Sequence, residues 1–284
     1  MKSFWLASLL MTLLADKPAY LVYDRQLKTS NYEALLRQAG QADVVLFGEL
    51  HNNPVCHWLQ HELAADLLAG GKKVVLGAEM FEADNQLVLD EYVNGTITAQ
   101  QLEAEAKVWP NFKTDYKPLV DLARENHLAF VATNIPRRYA SLVAKKGPGE
   151  LETLSPEARK SIAPLPVEVD LQLPGYAAML KMGGPHGSAT SGENMARAQA
   201  IKDATMAYFI LRNKKDNAVF LHFNGSYHSD HFEGISWYLR KANPALRIVT
   251  IATTEERDIA APVEAKPGLA DFVLTVPESM TKTH

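Results

Sequence analysis

Asp43-Val44-Val45-Leu46-Phe47-Gly48-Glu49-Leu50-His51-Asn52-Asn53-Pro54-Val55-Cys56-His57 decides how the rest of the chain is to be read. Its first half is a short apolar run rich in Val, Leu and Phe, which reads as a buried strand with Gly48 at a tight exit. A helix is expected just beyond, from Pro54 to Leu68, closed by Gly70-Gly71. Ligands of α/β proteins bind outside the carboxyl ends of parallel strands, so Glu49 and His51 fall where chemistry is expected, with His57 one or two turns into the helix. A second apolar run, Lys73-Val74-Val75-Leu76-Gly77-Ala78-Glu79-Met80, also ends on a glycine and a glutamate. Two carboxylates then face one crevice.

The rhythm of strand, polar turn and helix continues outward from this pair. Leu128 to Thr133 reads as a third strand delivering Asn134-Ile135-Pro136-Arg137-Arg138 to the same end. Asn217 to Phe223 is a fourth, leading into Gly225-Ser226-Tyr227-His228-Ser229-Asp230-His231. Arg247 to Ala252 and Asp271 to Val276 read as later strands, and Tyr20 to Val22 as an edge strand. The fold class is therefore α/β, a mostly parallel β-sheet flanked by helices. From about 147 to 192 the rhythm breaks. Prolines at 148, 156, 164, 166, 174 and 185, with interspersed glycines, exclude long elements and predict an irregular excursion with short helices. Glu193 to Asn213 then forms a long helix that places Asp203 over the strand ends.

With 284 residues, 47% hydrophobic and 22% charged, the chain can bury a large core, expected as one α/β domain over 16–284. A net charge of -4 supplies no basic field, so nucleic acid is excluded as an expected partner. Lys2 followed by the apolar Phe4 to Leu14 reads as an export signal over residues 1–15, too short to span a bilayer. The alternative for this run is a helix or strand packed on the domain. No cysteine stands at its end to carry a lipid. Cys56 is the one cysteine, so no internal disulfide is available.

Gly48-Glu49-Leu50-His51 and Gly225-Ser226-Tyr227-His228 are both Gly-x-x-His turns set directly after an apolar strand. A glycine lets the backbone turn sharply, so two imidazoles can be aimed at one spot. The expected pocket is Glu49, His51, Glu79, Asn134, Arg137, Asp203, His228 and His231. Carboxylates and imidazoles in that set suit a divalent metal such as Zn, Mn or Fe(II). They suit equally a metal-free acid/base hydrolase in which neighbouring carboxylates raise one another's pKa, or a buried polar network tying the strand ends. Arg137 would pair with a carboxylate or clamp an anionic substrate group, while Arg138 would be solvated. His57 and His61 share a helix face, but no Glu follows the first histidine, so a zinc-protease helix is rejected. No G-x-S-x-G elbow is present, and Cys56 lies inside a helix, which disfavours Ser and Cys nucleophiles.

These residues also carry a resemblance. Phe47-Gly48-Glu49-Leu50-His51 with His57, Gly77-Ala78-Glu79-Met80, Trp109-Pro110, Tyr116-Lys117-Pro118, Ala132 to Arg137, Asp203-Ala204-Thr205-Met206-Ala207 and Gly225 with His228 resemble the ChaN-like haem-binding, iron-regulated family. That family is related to erythromycin esterases and TraB/TIKI proteins. The resemblance covers most of the chain after about residue 40. It implies an α/β fold and an exported protein of the periplasm or outer membrane acting in haem and iron uptake. It further implies haem held in part by a homodimer with tyrosine ligation, and an outer-membrane haem receptor as partner.

Haem needs apolar walls, an axial ligand and cations near its propionates. On the strength of the resemblance the excursion is the expected host, with Tyr176 and His186 as the leading candidates for the iron ligand, Tyr176 first, and Met179 and Met182 beside them; Lys181 would meet a propionate, and Tyr116 and Tyr139 are alternatives. The strand-end pocket is expected to repel propionates because Glu49, Glu79 and Asp203 crowd it.

Overall fold

The computed structural model describes residues 17–182 and 189–284, so the export-signal expectation at 1–15 and His186 lie outside the described residues. Seven strands form one sheet: β1 Leu21–Asp24, β2 Val44–Glu49, β3 Lys73–Glu82, β4 Phe130–Asn134, β5 Ala218–Gly225, β6 Ile248–Glu256 and β7 Phe272–Pro277. Their spatial order is β1-β7-β6-β2-β5-β3-β4, and every neighbouring pair is parallel except β1 with β7. The α/β expectation therefore holds. Central β2 and β5 are buried along their whole length, which is why both read as unbroken apolar runs rather than as alternation.

Alternation within those runs sorts the helices onto two faces. Val45 and Phe47 point into a core covered by α1 Tyr32–Ala39, α2 Pro54–Ala69, α3 Gln86–Val93, α4 Ala99–Glu105 and α5 Lys117–Glu125. Val44 and Leu46 point the other way, into a core with Met206, Ile210, Ile235 and Leu239. The long α9 Ala189–Asn213 and α10 Gly234–Ala242 supply that second layer. The start of α2 follows from its sequence: Asn53 accepts the backbone N–H groups of Val55 and Cys56, and Pro54 occupies the first turn where no N–H partner is needed. Its end needs Gly71, which adopts φ +75°.

Two helices were not expected from the sequence. In α6 Arg137–Lys146 only Ala140 and Val143 are buried, so its apolar stripe is too thin to stand out between charged ends. In α10 the first residue, Gly234, has φ +52°, and the buried Ile235 and Leu239 give the same thin signal. The excursion contains the short α7 Pro156–Arg159 and, further on, α8 Pro174–Met182, which packs through Tyr176 against Ala196 and Ala200 of α9. At the exposed edge of the sheet the Gln86 amide replaces a missing neighbour strand. It donates to the Phe130 carbonyl at 2.9 Å and accepts from the Ala132 N–H at 2.7 Å. Among the described residues no helix is long and apolar enough to cross a membrane.

Candidate functional site

The register of β2 and β5 sets the site, because Glu49 lies opposite Gly225 and both glycine turns leave the sheet side by side. His51 Nδ1 is 2.9 Å from Glu49 Oε1. A carboxylate can only accept, so this bond puts the proton on Nδ1 and leaves Nε2 as the basic atom. Nε2 has no hydrogen-bond partner among the described residues. It lies so close to Gly225 that a Cβ there would stand 2.8 Å from it. Glu49 is held in turn by the Tyr116 hydroxyl at 2.7 Å and the Gln60 amide at 2.5 Å. Behind it His57, Asp115 and Asn111 extend the network inward, with His57 Nε2 3.3 Å from Asp115 Oδ2. Burial alone would lower the His51 pKa, but the bond to Glu49 and the charge of Glu79 outweigh it and the net shift is upward. The His51 side chain is 40% exposed while Glu49 is fully enclosed, so the histidine is the accessible end of this limb.

His228 is the centre of the second limb. Its Nε2 is 3.1 Å from Glu79 Oε1 and its Nδ1 is 2.5 Å from Asp203 Oδ1. With an acceptor at each nitrogen the ring carries two protons. Burial opposes that charge, but the carboxylates of Glu79 and Asp203 prevail and push the pKa up to about 10. One imidazolium cannot neutralise two carboxylates equally. Glu79 suffers desolvation, yet His228, His51 and the Gly225 N–H, which donates to Oε2 at 2.8 Å, hold its pKa far below the usual range. Asp203 is shifted upward, because there burial outweighs His228 and the hydroxyl of Tyr176, which donates at 2.6 Å.

His51 and His228 border two depressions. The smaller, about 490 Å³, also involves Gln199 and Tyr227. The larger, about 900 Å³, has apolar walls of Met80, Val108, Trp109, Pro110 and Ile135. Lys107, Arg137, Arg138 and Lys202 add a basic border, and Glu79 lies on the floor. Its size falls within the roughly 300–1,000 Å³ range of small-molecule and cofactor sites. The Trp109 ring meets His51 edge-on at 4.8 Å between centroids.

Of the residues expected in one pocket, His51, Glu79, Asn134, Arg137 and His228 line the larger cleft at the strand ends, with Glu49 joined through His51 and Asp203 through His228. His231 does not join them. It is exposed, has φ 57°, and makes no side-chain bond to the cluster. The expected divalent metal is not supported: among the described residues no group of three or more His, Cys, Asp or Glu could hold one. The nitrogens of His228 and the oxygens of Glu49 and Glu79 are already engaged with one another and with N–H and O–H donors. Arg138 is not merely solvated, since it pairs with Asp84 at 2.6 Å and lies over the Tyr139 ring.

The haem-ligand expectations meet a different geometry. Tyr176 is 3% exposed, its hydroxyl is given to Asp203, and burial with that carboxylate drives its pKa far upward. A ferric iron is held by a phenolate oxygen, and this one is neither free nor easily ionised. Tyr116 is likewise buried and committed to Glu49. Met179 packs against the Tyr176, Ala196 and Ala200 cluster, and Met182 ends α8. The charge lining the cleft also differs from the expected crowd of carboxylates, because His228 pairs with Glu79 and Lys107, Arg137, Arg138 and Lys202 border the cleft.

Sequence reasoning missed Gln60, Asp115, Gln199 and Lys202. Gln60 is three residues from His57, Asp115 four from Asn111, and Gln199 four from Asp203, so helical spacing was the available signal.

The family model described as haem-binding uptake, Tiki superfamily, ChaN matches residues 35–239, the greater part of the chain. ChaN of Campylobacter jejuni, in a structure showing cofacial haem binding, shares the fold at a TM-score of 0.68 and 19% identity, over 90% of this chain and 96% of that one. A protein from Bacillus cereus aligns at 0.53 and 13% identity, over 90% and 95%. Erythromycin esterase EreC in its open conformation aligns at 0.48 and 12% identity, over 91% and 83%. No curated protein matches.

Proposed function

Because the chain belongs to the ChaN haem-binding uptake family of the Tiki superfamily, we propose that it is an exported, envelope-associated protein that binds haem for uptake or handling. The observation that carries this reading is the composition of the larger cleft. Trp109, Met80, Val108, Pro110 and Ile135 offer the apolar walls a porphyrin needs, and Arg137, Lys202 and Lys107 the cations its propionates need. His51 is the side chain there that suits an axial position, with Nε2 open and Nδ1 oriented by a carboxylate, as ligating histidines usually are. Bound haem would supply its iron as a redox-active or transported centre. The protein's part is to seat the ring, hold the ligand's tautomer and meet the propionates.

A second copy of the chain is the partner this reading proposes, closing over the exposed porphyrin edge. Leu180, Met195 and Tyr227 are large apolar side chains left exposed on α8, α9 and the turn after β5. An outer-membrane haem receptor is the proposed upstream partner, and the export-signal pattern of residues 1–15 supports the envelope location. Haemin titration with absorbance and sedimentation tests the reading: a saturable Soret band accompanied by dimer formation is expected, and free-haemin spectra at every ratio would overturn it.

The Glu49–His51 pair supports a second reading, a hydrolase that needs no cofactor. A histidine with Nδ1 bound to a buried carboxylate, Nε2 open and its ring 40% exposed at a cleft is the arrangement of a general base. Turnover of an activated ester that disappears in His51→Ala, with the fold retained, tests it.

A further inference from the structure

Two of the four basic side chains bordering the larger cleft have no acidic partner among the described residues. Arg138 pairs with Asp84 at 2.6 Å, and Lys107 stands 3.7 Å from Glu82. Arg137 and Lys202 line the same cleft, from α6 and α9, and form no ion pair among the described residues. Arg137 also opens α6. Pro136 precedes it as N-cap, and no side chain caps that helix, so its first turn brings the positive end of the helix to the same border. The floor does not cancel this field, since Glu79 is already paired with His228 and the Gly225 N–H.

An unpaired guanidinium and ammonium converging on a cleft with a basic imidazole nearby is a recognition element for a carboxylate, with the planar guanidinium suited to a two-point grip. We propose that Arg137 and Lys202 bind the free carboxylate of a substrate and present an ester or amide carbonyl of the same molecule to His51. This rests on the hydrolytic reading and names its substrate class: a half-ester or half-amide of a dicarboxylic acid. His51 Nε2 takes a proton from water as the water oxygen bonds to the carbonyl carbon. Collapse of the adduct breaks the bond to the leaving oxygen or nitrogen, and the proton on His51 passes to that atom. The products are the dicarboxylic acid, which releases its new proton to solvent, and an alcohol or amine. The propionates of haem share the carboxylate chemistry, so haemin should compete for the same two side chains.

The test compares 4-nitrophenyl hydrogen succinate with 4-nitrophenyl acetate as substrates, and measures monomethyl succinate binding by calorimetry, in wild type, Arg137→Gln and Lys202→Gln. The wild type should prefer the succinyl ester at least tenfold in kcat/KM, each substitution should remove most of that preference through KM, and monomethyl succinate binding should weaken in parallel. Arg137-dependent binding without turnover of either ester would support the carboxylate site and remove the hydrolytic reading. Equal turnover of both esters, unaffected by either substitution, would keep hydrolysis and overturn the carboxylate site. Absence of both binding and turnover would overturn both. Haemin that leaves succinyl ester turnover unchanged at saturation would assign the two cations to the small substrate alone, whereas displacement of monomethyl succinate only by haemin, without turnover, would assign them to propionates and overturn the proposal.

Discussion

His228 Nε2 lies 3.1 Å from Glu79 Oε1, which joins the turn after β5 to strand β3 through a buried charge pair. His228 is shifted from 6.5 to about 10, so its stabilising contribution is fully present below pH 6.5 and is lost as pH rises through about 10. Glu79 is shifted below 4.5, so its contribution is present above that value and fades as pH falls through its lower folded value. Asp203, shifted upward from 3.8, acts in the opposite sense and loses stability as pH rises through its own raised value. Thermal unfolding should therefore show Tm falling between pH 7 and pH 10 in the wild type, with a flatter profile in His228→Gln. At pH 7 that substitution leaves two buried carboxylates without their cation and should cost roughly 3–5 kcal/mol. A parallel decline in both proteins would remove the charge pair as the cause.

Gly225 is a packing requirement for His51. A Cβ at this position would stand 2.8 Å from both Cε1 and Nε2 of the ring. Gly225→Ala should fold, because φ here is -57° and suits any residue, but it should displace the imidazole and cut ester turnover and haemin affinity at least tenfold. A variant with wild-type values for both would show that the ring position does not matter.

Tyr116 donates to Glu49 at 2.7 Å and sits edge-on to His57. A hydrogen bond to a charged acceptor contributes about 1.5–3 kcal/mol, so Tyr116→Phe should lower unfolding stability in urea by that amount. The His51 titration followed by NMR should move at the same time, since Glu49 orients its Nδ1. Loss of stability with an unchanged His51 titration would confine Tyr116 to a packing role.

Proton abstraction by His51 needs the neutral ring, and its pKa lies above 6.5. Ester kcat/KM should accordingly rise with pH through that raised value and level off, and Glu49→Gln should move the limb downward by removing the carboxylate that raises it. A pH-independent rate from 6 to 9 would argue against His51 as the base.

The sheet and its functional edge were legible because central β2 and β5 are buried on both faces and each ends at a glycine turn that carries a polar group. Glu49, His51, Glu79 and His228 could be assigned to one end from that punctuation alone. What remained hidden depended on partners distant in sequence. That Tyr176 serves Asp203 is set by how α8 packs on α9, across 27 residues. The electrostatic character of the cleft was misjudged for a related reason: counting carboxylates registers Glu49, Glu79 and Asp203, but not the enclosure of His228 between two of them. Lys202 and Arg137 converge only once α9 and α6 are packed, and α6 itself has too thin an apolar stripe to announce a helix.

Haemin titration of wild type, His51→Ala and Tyr176→Phe, followed at the Soret band, separates the His51 cleft from the Tyr176 excursion as the haem site. Saturable binding is expected in the wild type, binding within about threefold of wild type in Tyr176→Phe, and a loss of at least tenfold, about 1.4 kcal/mol, in His51→Ala. No saturable band in the wild type, or a band that depends on Tyr176 and is indifferent to His51, would contradict haem binding at the His51 cleft.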